Sequence, residues 1–268
     1  MAENATFADR RLDTLDGFTV TIDTERKRAD ITLTRPPYNV VSMAQRDQLR
    51  LVFEALDEDE RVRVIVVKGE GQHFSSGGNI KGFLEASPEH VSHLAWNIAA
   101  PARCSKPVIA ANRGYCFGVG FELSLACDFR IASETTLYAL PEQKLGQIPG
   151  SGGSARLQKM VGVTRTKDIV MRSKRITGAQ AHDWGIATEC VPDADLESTV
   201  DALVEELLAF SPLAQRTAKK LLNDTDDANL STAIELEGHC YSRLRSSDDF
   251  REGVNAFHEK RAANFVGS

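Results

Sequence analysis

Apolar and polar residues alternate over residues 18–24 and 29–34, with the charged stretch Glu25-Arg26-Lys27-Arg28 between them, a pattern that predicts a β-hairpin. Over residues 43–59 the period lengthens. Met43, Leu49, Val52, Phe53 and Leu56 recur at helical spacing, and the acidic run Asp57-Glu58-Asp59-Glu60 reads as a solvated helix end. Val62-Arg63-Val64-Ile65-Val66-Val67 is then almost continuously apolar, the mark of a strand covered on both faces. Residues 107–111 and 128–132 read as further strands of this kind, and residues 88–103 as a helix. Strands alternating with helices over roughly the first 190 residues predict an α/β fold with crossover connections.

Beyond Pro192 the character changes. Residues 198–210, 212–223 and 230–245 carry apolar faces at helical spacing and no strand signal. Ser211-Pro212 supplies an N-cap followed by proline at the first helical position. The expectation is an α/β core over residues 1–195 and a helical region over 196–268. No internal repeat is visible.

Composition narrows the class. Of 268 residues, 42% are hydrophobic and 26% charged, which is ordinary globular usage with ample material for a core. Lys and Arg total 32 against 38 Asp and Glu, a net charge of −6, so the basic footprint of a nucleic-acid binder is missing. No apolar run reaches the roughly 18 residues of a membrane span, and the first residues hold no apolar signal core. The five cysteines are odd in number and irregularly spaced, so they read as reduced, mostly buried small side chains rather than a disulfide framework. The reading is a soluble, cytoplasmic protein with no membrane and no nucleic-acid partner.

Glycines cluster at Ser75-Ser76-Gly77-Gly78-Asn79, at Gly114-Tyr115-Cys116-Phe117-Gly118-Val119-Gly120 and at Pro149-Gly150-Ser151-Gly152-Gly153. None completes a GxGxxG or GxxxxGK[ST] pattern, and Pro149 occupies the first glycine of a nucleophile elbow around Ser151. The second cluster follows a predicted strand and enters the apolar segment Phe121-Glu122-Leu123-Ser124-Leu125-Ala126. A loop entering a helix leaves N–H groups pointing outward with the positive end of the dipole behind them. With a second N–H from the first cluster, such a loop would form an oxyanion hole. Glu122 in the helix's first turn and Glu142 after Pro141 each read alone as structural acids; beside glycine loops they read as an acid–base pair. His90 and His93 have no third ligand and no HExxH pattern, so no metal site is expected.

These residues resemble the crotonase, or enoyl-CoA hydratase/isomerase, superfamily. The similarity runs from Arg35-Pro36-Pro37-Tyr38-Asn39 through His73-Phe74-Ser75-Ser76-Gly77-Gly78-Asn79-Ile80-Lys81, Lys106-Pro107-Val108-Ile109-Ala110-Ala111 and Gly118-Val119-Gly120-Phe121-Glu122-Leu123. It continues through Leu140-Pro141-Glu142-Gln143-Lys144-Leu145-Gly146 to Phe257-His258-Glu259-Lys260-Arg261 near the end. The resemblance implies a spiral of ββα units with a helical C-terminal trimerisation region, assembled as a homotrimer or a dimer of trimers. It implies an acyl-CoA thioester as substrate and no separate cofactor. By similarity the N–H groups of Gly78 and Val119 form the oxyanion hole, Glu122 deprotonates water and Glu142 delivers a proton. Ser76, Phe83, Trp96, Tyr138 and Leu140 are expected around the acyl group, and Phe257 and Lys260 at the CoA nucleotide of a neighbouring subunit.

The sequence also departs from the family pattern. Val119 replaces the middle glycine of GGG; valine keeps the N–H but resists positive φ and projects a side chain near the thioester. Asn79, Arg113 and Leu140 also replace common family residues, and the forms around Glu122 and Glu142 look nearer to the carnitinyl-CoA dehydratase branch. The leading expectation is a 2-enoyl-CoA hydratase. The alternatives are a Δ3,Δ2-enoyl-CoA isomerase, against which Glu122 argues, another crotonase-type acyl-CoA hydrolase or lyase, and a non-catalytic acyl-CoA-binding or RNA-binding homologue.

Overall fold

The computed structural model describes residues 2–82 and 87–268. The hairpin forms as the alternation predicts: β2 (Phe18–Asp23) pairs antiparallel with β3 (Arg28–Leu33), and a short β1 (Glu3–Asn4) adds to its outer edge. Arg28, read from sequence as part of the turn, instead opens β3. Its guanidinium is buried against Asp30 and Asp201. From β3 the sheet continues in parallel through β4 (Val64–Gly69), β5 (Val108–Asn112), β7 (Phe129–Ser133) and β10 (Glu189–Val191). A second sheet holds β6 (Tyr115–Phe117), β8 (Leu137–Ala139) and β9 (Ile176–Thr177), with β6 and β8 parallel.

The continuous apolar run in β4 has the cause anticipated. Ile65 and Val67 enter one buried cluster, while Val64 and Val66 enter another on the opposite face. The first is covered by α1 (Met43–Glu58), which starts on a Ser42/Gln45 capping box, and by α5 (Val119–Ala126). At the far end of α1, Asp57 is not simply solvated: it accepts from the backbone N–H and hydroxyl of Ser105.

The helix expected over 88–103 is three short pieces, α2 (Pro88–Ser92), α3 (Leu94–Ile98) and α4 (Ala100–Arg103). Pro101 lies in the first turn of α4, where its missing N–H costs nothing, but it could not continue a longer helix. Helices α6 (Gly153–Met171, broken at Gly162) and α7 (Gly178–Asp183) follow.

The C-terminal helices are α8 (Leu196–Leu208), α9 (Pro212–Thr225), α10 (Leu230–Leu244) and α11 (Asp248–Glu259). Helix α8 supplies Leu196, Val200, Val204 and Leu207 to the second core cluster, so a boundary at residue 195 falls inside a shared core. Helices α9 and α10 contain no fully buried residue. The five cysteines are free, and Cys104, Cys116 and Cys127 are buried. Among the described residues no helix is long and apolar enough to cross a membrane.

Candidate active site

Strand pairing builds the site. In the loop after β4, Phe74 is fully buried as an anchor, and Ser75 pairs with β6 on both sides: its N–H donates to Tyr115 O, and its carbonyl accepts from Phe117 N–H. The next residues pair with the approach to α1: Val41 N–H donates to Gly77 O and Asn79 N–H to Val41 O. Gly78 is held between these bonds, and its own N–H has no acceptor among the described residues. Ser76, half-buried in the same loop, donates its N–H to Tyr38 O.

Strands β6 and β8 run parallel with Phe117 opposite Ala139, so their chains leave side by side. One exit becomes Gly118-Val119 at the head of α5. The other becomes Leu140-Pro141 and the 3-10 turn Glu142–Leu145. Gly118 N–H donates to Ala139 O at 2.9 Å and ties the two exits together. Gly118 has φ 52° and ψ −127°, a conformation closed to other residues, and a Cβ there would lie 3.1 Å from Glu142 Oε1. Gly120 is excluded from growing by contact, since a Cβ would meet Ser75 Cβ at 2.6 Å. The first loop therefore packs directly on the start of α5.

Val119 resolves differently from what its chemistry suggested. The positive φ falls on Gly118, Val119 is not among the positive-φ residues, and its side chain is buried in the core. Its N–H, the first of the helix, has no acceptor among the described residues.

Every residue of α5 is buried, Glu122 included at 3% exposure. Glu122 Oε1 accepts from Ser151 N–H at 2.7 Å and Gly153 N–H at 3.1 Å, which orients the carboxyl against the third glycine cluster. Burial raises its pKa, opposed by those two donors and by Arg46. Glu142 is raised to about 7, chiefly by burial and further by the neighbouring Glu122 charge, with Arg46 acting in the other direction. Glu142 Oε2 is buried with no hydrogen-bond partner among the described residues. The pair thus combines an oriented carboxyl with one poised to be protonated near neutrality.

The remaining residues predicted for the site divide. Leu140 is fully buried between the two glutamates' supporting loops: a Cβ on Gly153 would sit 3.1 Å from its Cδ1 and 3.0 Å from Glu122 Cγ. Tyr138 does not line a cleft. It points to the inner side of the small sheet, where its ring packs 4.7 Å from Phe121 and its hydroxyl donates to Asn112 Oδ1. Residues alternate faces along a strand, so Tyr138 and its neighbours cannot share one. Trp96 is 57% exposed under the Arg103 guanidinium and borders a cavity of about 400 Å³ with Asp47, Arg50, His93 and Asn97. Phe83 lies outside the described residues. Phe257 is exposed on α11 and Lys260 ends that helix in a left-handed conformation. Among the described residues no group of three or more His, Cys, Asp or Glu side chains is placed to hold a metal ion.

Sequence reasoning missed Arg46. It is 3% exposed on α1, within electrostatic reach of Glu122, Glu142 and Asp47. An arginine interrupting the apolar spacing of a predicted core helix was the signal available.

Comparison with known proteins agrees with this architecture. The profile of the enoyl-CoA hydratase/isomerase family matches residues 23–268. A probable enoyl-CoA hydratase of Rhizobium meliloti is 34% identical over 253 residues, covering 92% of this chain and 97% of that protein. A carnitinyl-CoA dehydratase of Salmonella arizonae is 34% identical over 251 residues, covering 89% and 94%. The crystal structure of an enoyl-CoA hydratase from Bacillus anthracis superposes with a TM-score of 0.87 at 32% identity, covering 94% of this chain and 100% of that one.

Proposed function

The chain belongs to the enoyl-CoA hydratase/isomerase family, and from that premise we propose that it is a 2-enoyl-CoA hydratase. The observation that carries the reading is the convergence of two carboxyls of different character, Glu122 and Glu142, beside the Val119 N–H, which has no acceptor among the described residues. An isomerase needs one proton shuttle; addition of water needs a base and an acid on the same substrate. Ionised Glu122, its Oε1 fixed by two N–H donors, takes a proton from water as the water oxygen bonds C3. Negative charge moves to the thioester oxygen, where the N–H groups of Gly78 and Val119 receive it, each worth about 3–4 kcal/mol in comparable oxyanion holes. Protonated Glu142 then gives its proton to C2. The sum is one water added across the double bond, and the reverse path is dehydration, with the two roles exchanged.

The substrate class is an acyl-CoA thioester and the assembly a homotrimer or dimer of trimers. In such an assembly the exposed Phe257 and Lys260 of one subunit would meet a neighbour's CoA nucleotide.

Loss of conjugated-thioester absorbance with crotonyl-CoA and longer 2-enoyl-CoAs tests the reading. Wild type should consume the signal and yield a product heavier by one water. Glu122→Gln and Glu142→Gln should each lose about 10²- to 10⁴-fold in kcat, the usual contribution of positioned acid–base groups. A double-bond isomer of unchanged mass, or full activity in either variant, would refute it.

A further inference from the structure

Glu122 stands on α5 and Glu142 follows β8, so their separation depends on how those two elements are joined. At one end the Gly118 N–H to Ala139 O bond ties them. A hydrogen bond alone is a pivot: it fixes a point and leaves an angle free. A second tie runs through Asn112, the last residue of β5, which is an interior strand of the large sheet and pairs there with Ala132 of β7. Asn112 Oδ1 accepts from Ser124 Oγ of α5 and from Tyr138 OH of β8, both at 2.8 Å. An amide oxygen has two lone pairs, and here each holds one of the two elements. Asn112, Ser124 and Tyr138 are all fully buried. Burial keeps the Tyr138 phenol far above its usual range, so it remains a donor at working pH. Ser124 is two residues beyond Glu122 and projects to nearly the opposite side of the helix. Its bond therefore holds one side of α5 while the other presents the carboxyl.

Stability alone does not account for this amide. Asn112 Nδ2 is buried with no hydrogen-bond partner among the described residues, and an orphaned donor costs stability where leucine would not. The Phe121 and Tyr138 rings already pack 4.7 Å apart between the same two elements, but apolar contact is non-directional and permits sliding. What only the amide supplies is a directed bond to each element from a third. We propose that Asn112 is a positioning residue for the hydration chemistry, the joint through which β5 sets the separation of Glu122 and Glu142. The inference rests on the hydratase reading, because a base and an acid acting on one substrate must keep a fixed spacing.

The test uses the full chain and the 2-enoyl-CoA absorbance assay. Asn112→Leu removes the joint but strands two hydroxyls, so stability and rate fall together. The deciding variant combines Asn112→Leu with Ser124→Ala and Tyr138→Phe, which removes the stranded groups as well. Its urea midpoint should return to near wild type, because replacing all partners of a buried bond by apolar groups is nearly neutral. Its kcat should stay about 10- to 10²-fold low with KM within about threefold, the cost of a carboxyl displaced by about 1 Å. Wild-type kcat in that variant would show a merely structural joint and overturn the proposal. Where the triple variant does not fold, Ser124→Ala and Tyr138→Phe decide. Each should slow turnover, with a combined loss smaller than the product because both act through one amide. Strictly multiplicative losses, or none, would overturn it.

Carbon-13 titration of the Glu142 carboxyl without substrate, assigned with Glu142→Gln, reads the joint independently of turnover. Part of the rise of Glu142 to about 7 comes from the Glu122 charge, and that part depends on their separation. If wild type hydrates no 2-enoyl-CoA, this titration decides. A midpoint shifted in the triple variant would retire the hydratase and keep the joint, and an unmoved midpoint would remove both.

Discussion

Two of the places where this molecule buries carboxyl groups treat them in opposite ways. At the joint between the α/β core and α9, Asp128 Oδ2 accepts from Val108 N–H at 2.8 Å and from Lys219 Nζ at 2.7 Å. The Lys219 ammonium spends its other donors on Pro101 O and Lys106 O. Burial raises the Asp128 pKa and Lys219 pulls it back. All the ammonium's donors are used, and the result is a latch. At the site, Glu122 and Glu142 both feel the Arg46 charge, the Glu122 charge raises Glu142 further, and Glu142 Oε2 has no hydrogen-bond partner among the described residues. Burial is common to both places, so burial does not mark a reactive acid. What separates them is whether the partner completes the charge and the hydrogen bonds.

Three substitutions would break or sharpen that contrast. The largest stability effect is expected at the latch. Lys219→Met strands the Asp128 carboxylate and should cost about 3 kcal/mol in urea unfolding, the low end for buried pairs because 21% of the Asp128 side chain still meets solvent. Turnover per folded molecule should stay near wild type, and a collapse of turnover with stability intact would join the two regions functionally. Next is Gly118→Ala, which forces a strained backbone and sets a methyl group against Glu142. Loss of about 1–3 kcal/mol is expected together with at least tenfold slower hydration, read by unfolding and steady-state kinetics.

The smallest effect belongs to Glu142→Gln as a stability change. A carboxyl raised from 4.5 to about 7 on folding adds nothing below pH 4.5, where it is protonated in both states. Between 4.5 and about 7 only the unfolded form releases the proton, so wild-type stability falls with rising pH and the loss is complete above the folded value. The glutamine variant should therefore be more stable than wild type by about 1–2 kcal/mol at about pH 8, discounted for partial exposure, and equal to it near the unfolded value. A constant difference across that window would mean that the Glu142 environment, not its proton, sets its cost.

The hairpin, α1 and the doubly covered β4 were legible because one residue period repeats long enough to name the element. The break of residues 88–103 into three helices was less so, as Pro101 sits where a helix start tolerates it. Strand β6 has three residues, too few for a period, yet its pairing with β8 is what brings Gly118 and Glu142 together. Both glutamates could be suspected from their glycine-rich surroundings. Tyr138 could not be placed correctly, because which face of a short strand meets the core depends on its register with Cys116 and Ile176, partners in other parts of the chain.

Local order is written in the sequence itself: alternation, helical spacing, caps and glycine-rich turns decided where strands and helices start, and the ordered motifs carried the family resemblance. Tertiary structure alone decided that α8 closes the second face of the sheet, that positive φ falls on Gly118 and spares Val119, and that Arg46 comes within electrostatic reach of Glu122 and Glu142 from another part of the chain. The physical reason is range. Propensity and periodicity act over a few residues, whereas the protonation of a buried carboxyl depends on desolvation and charges brought together from distant segments.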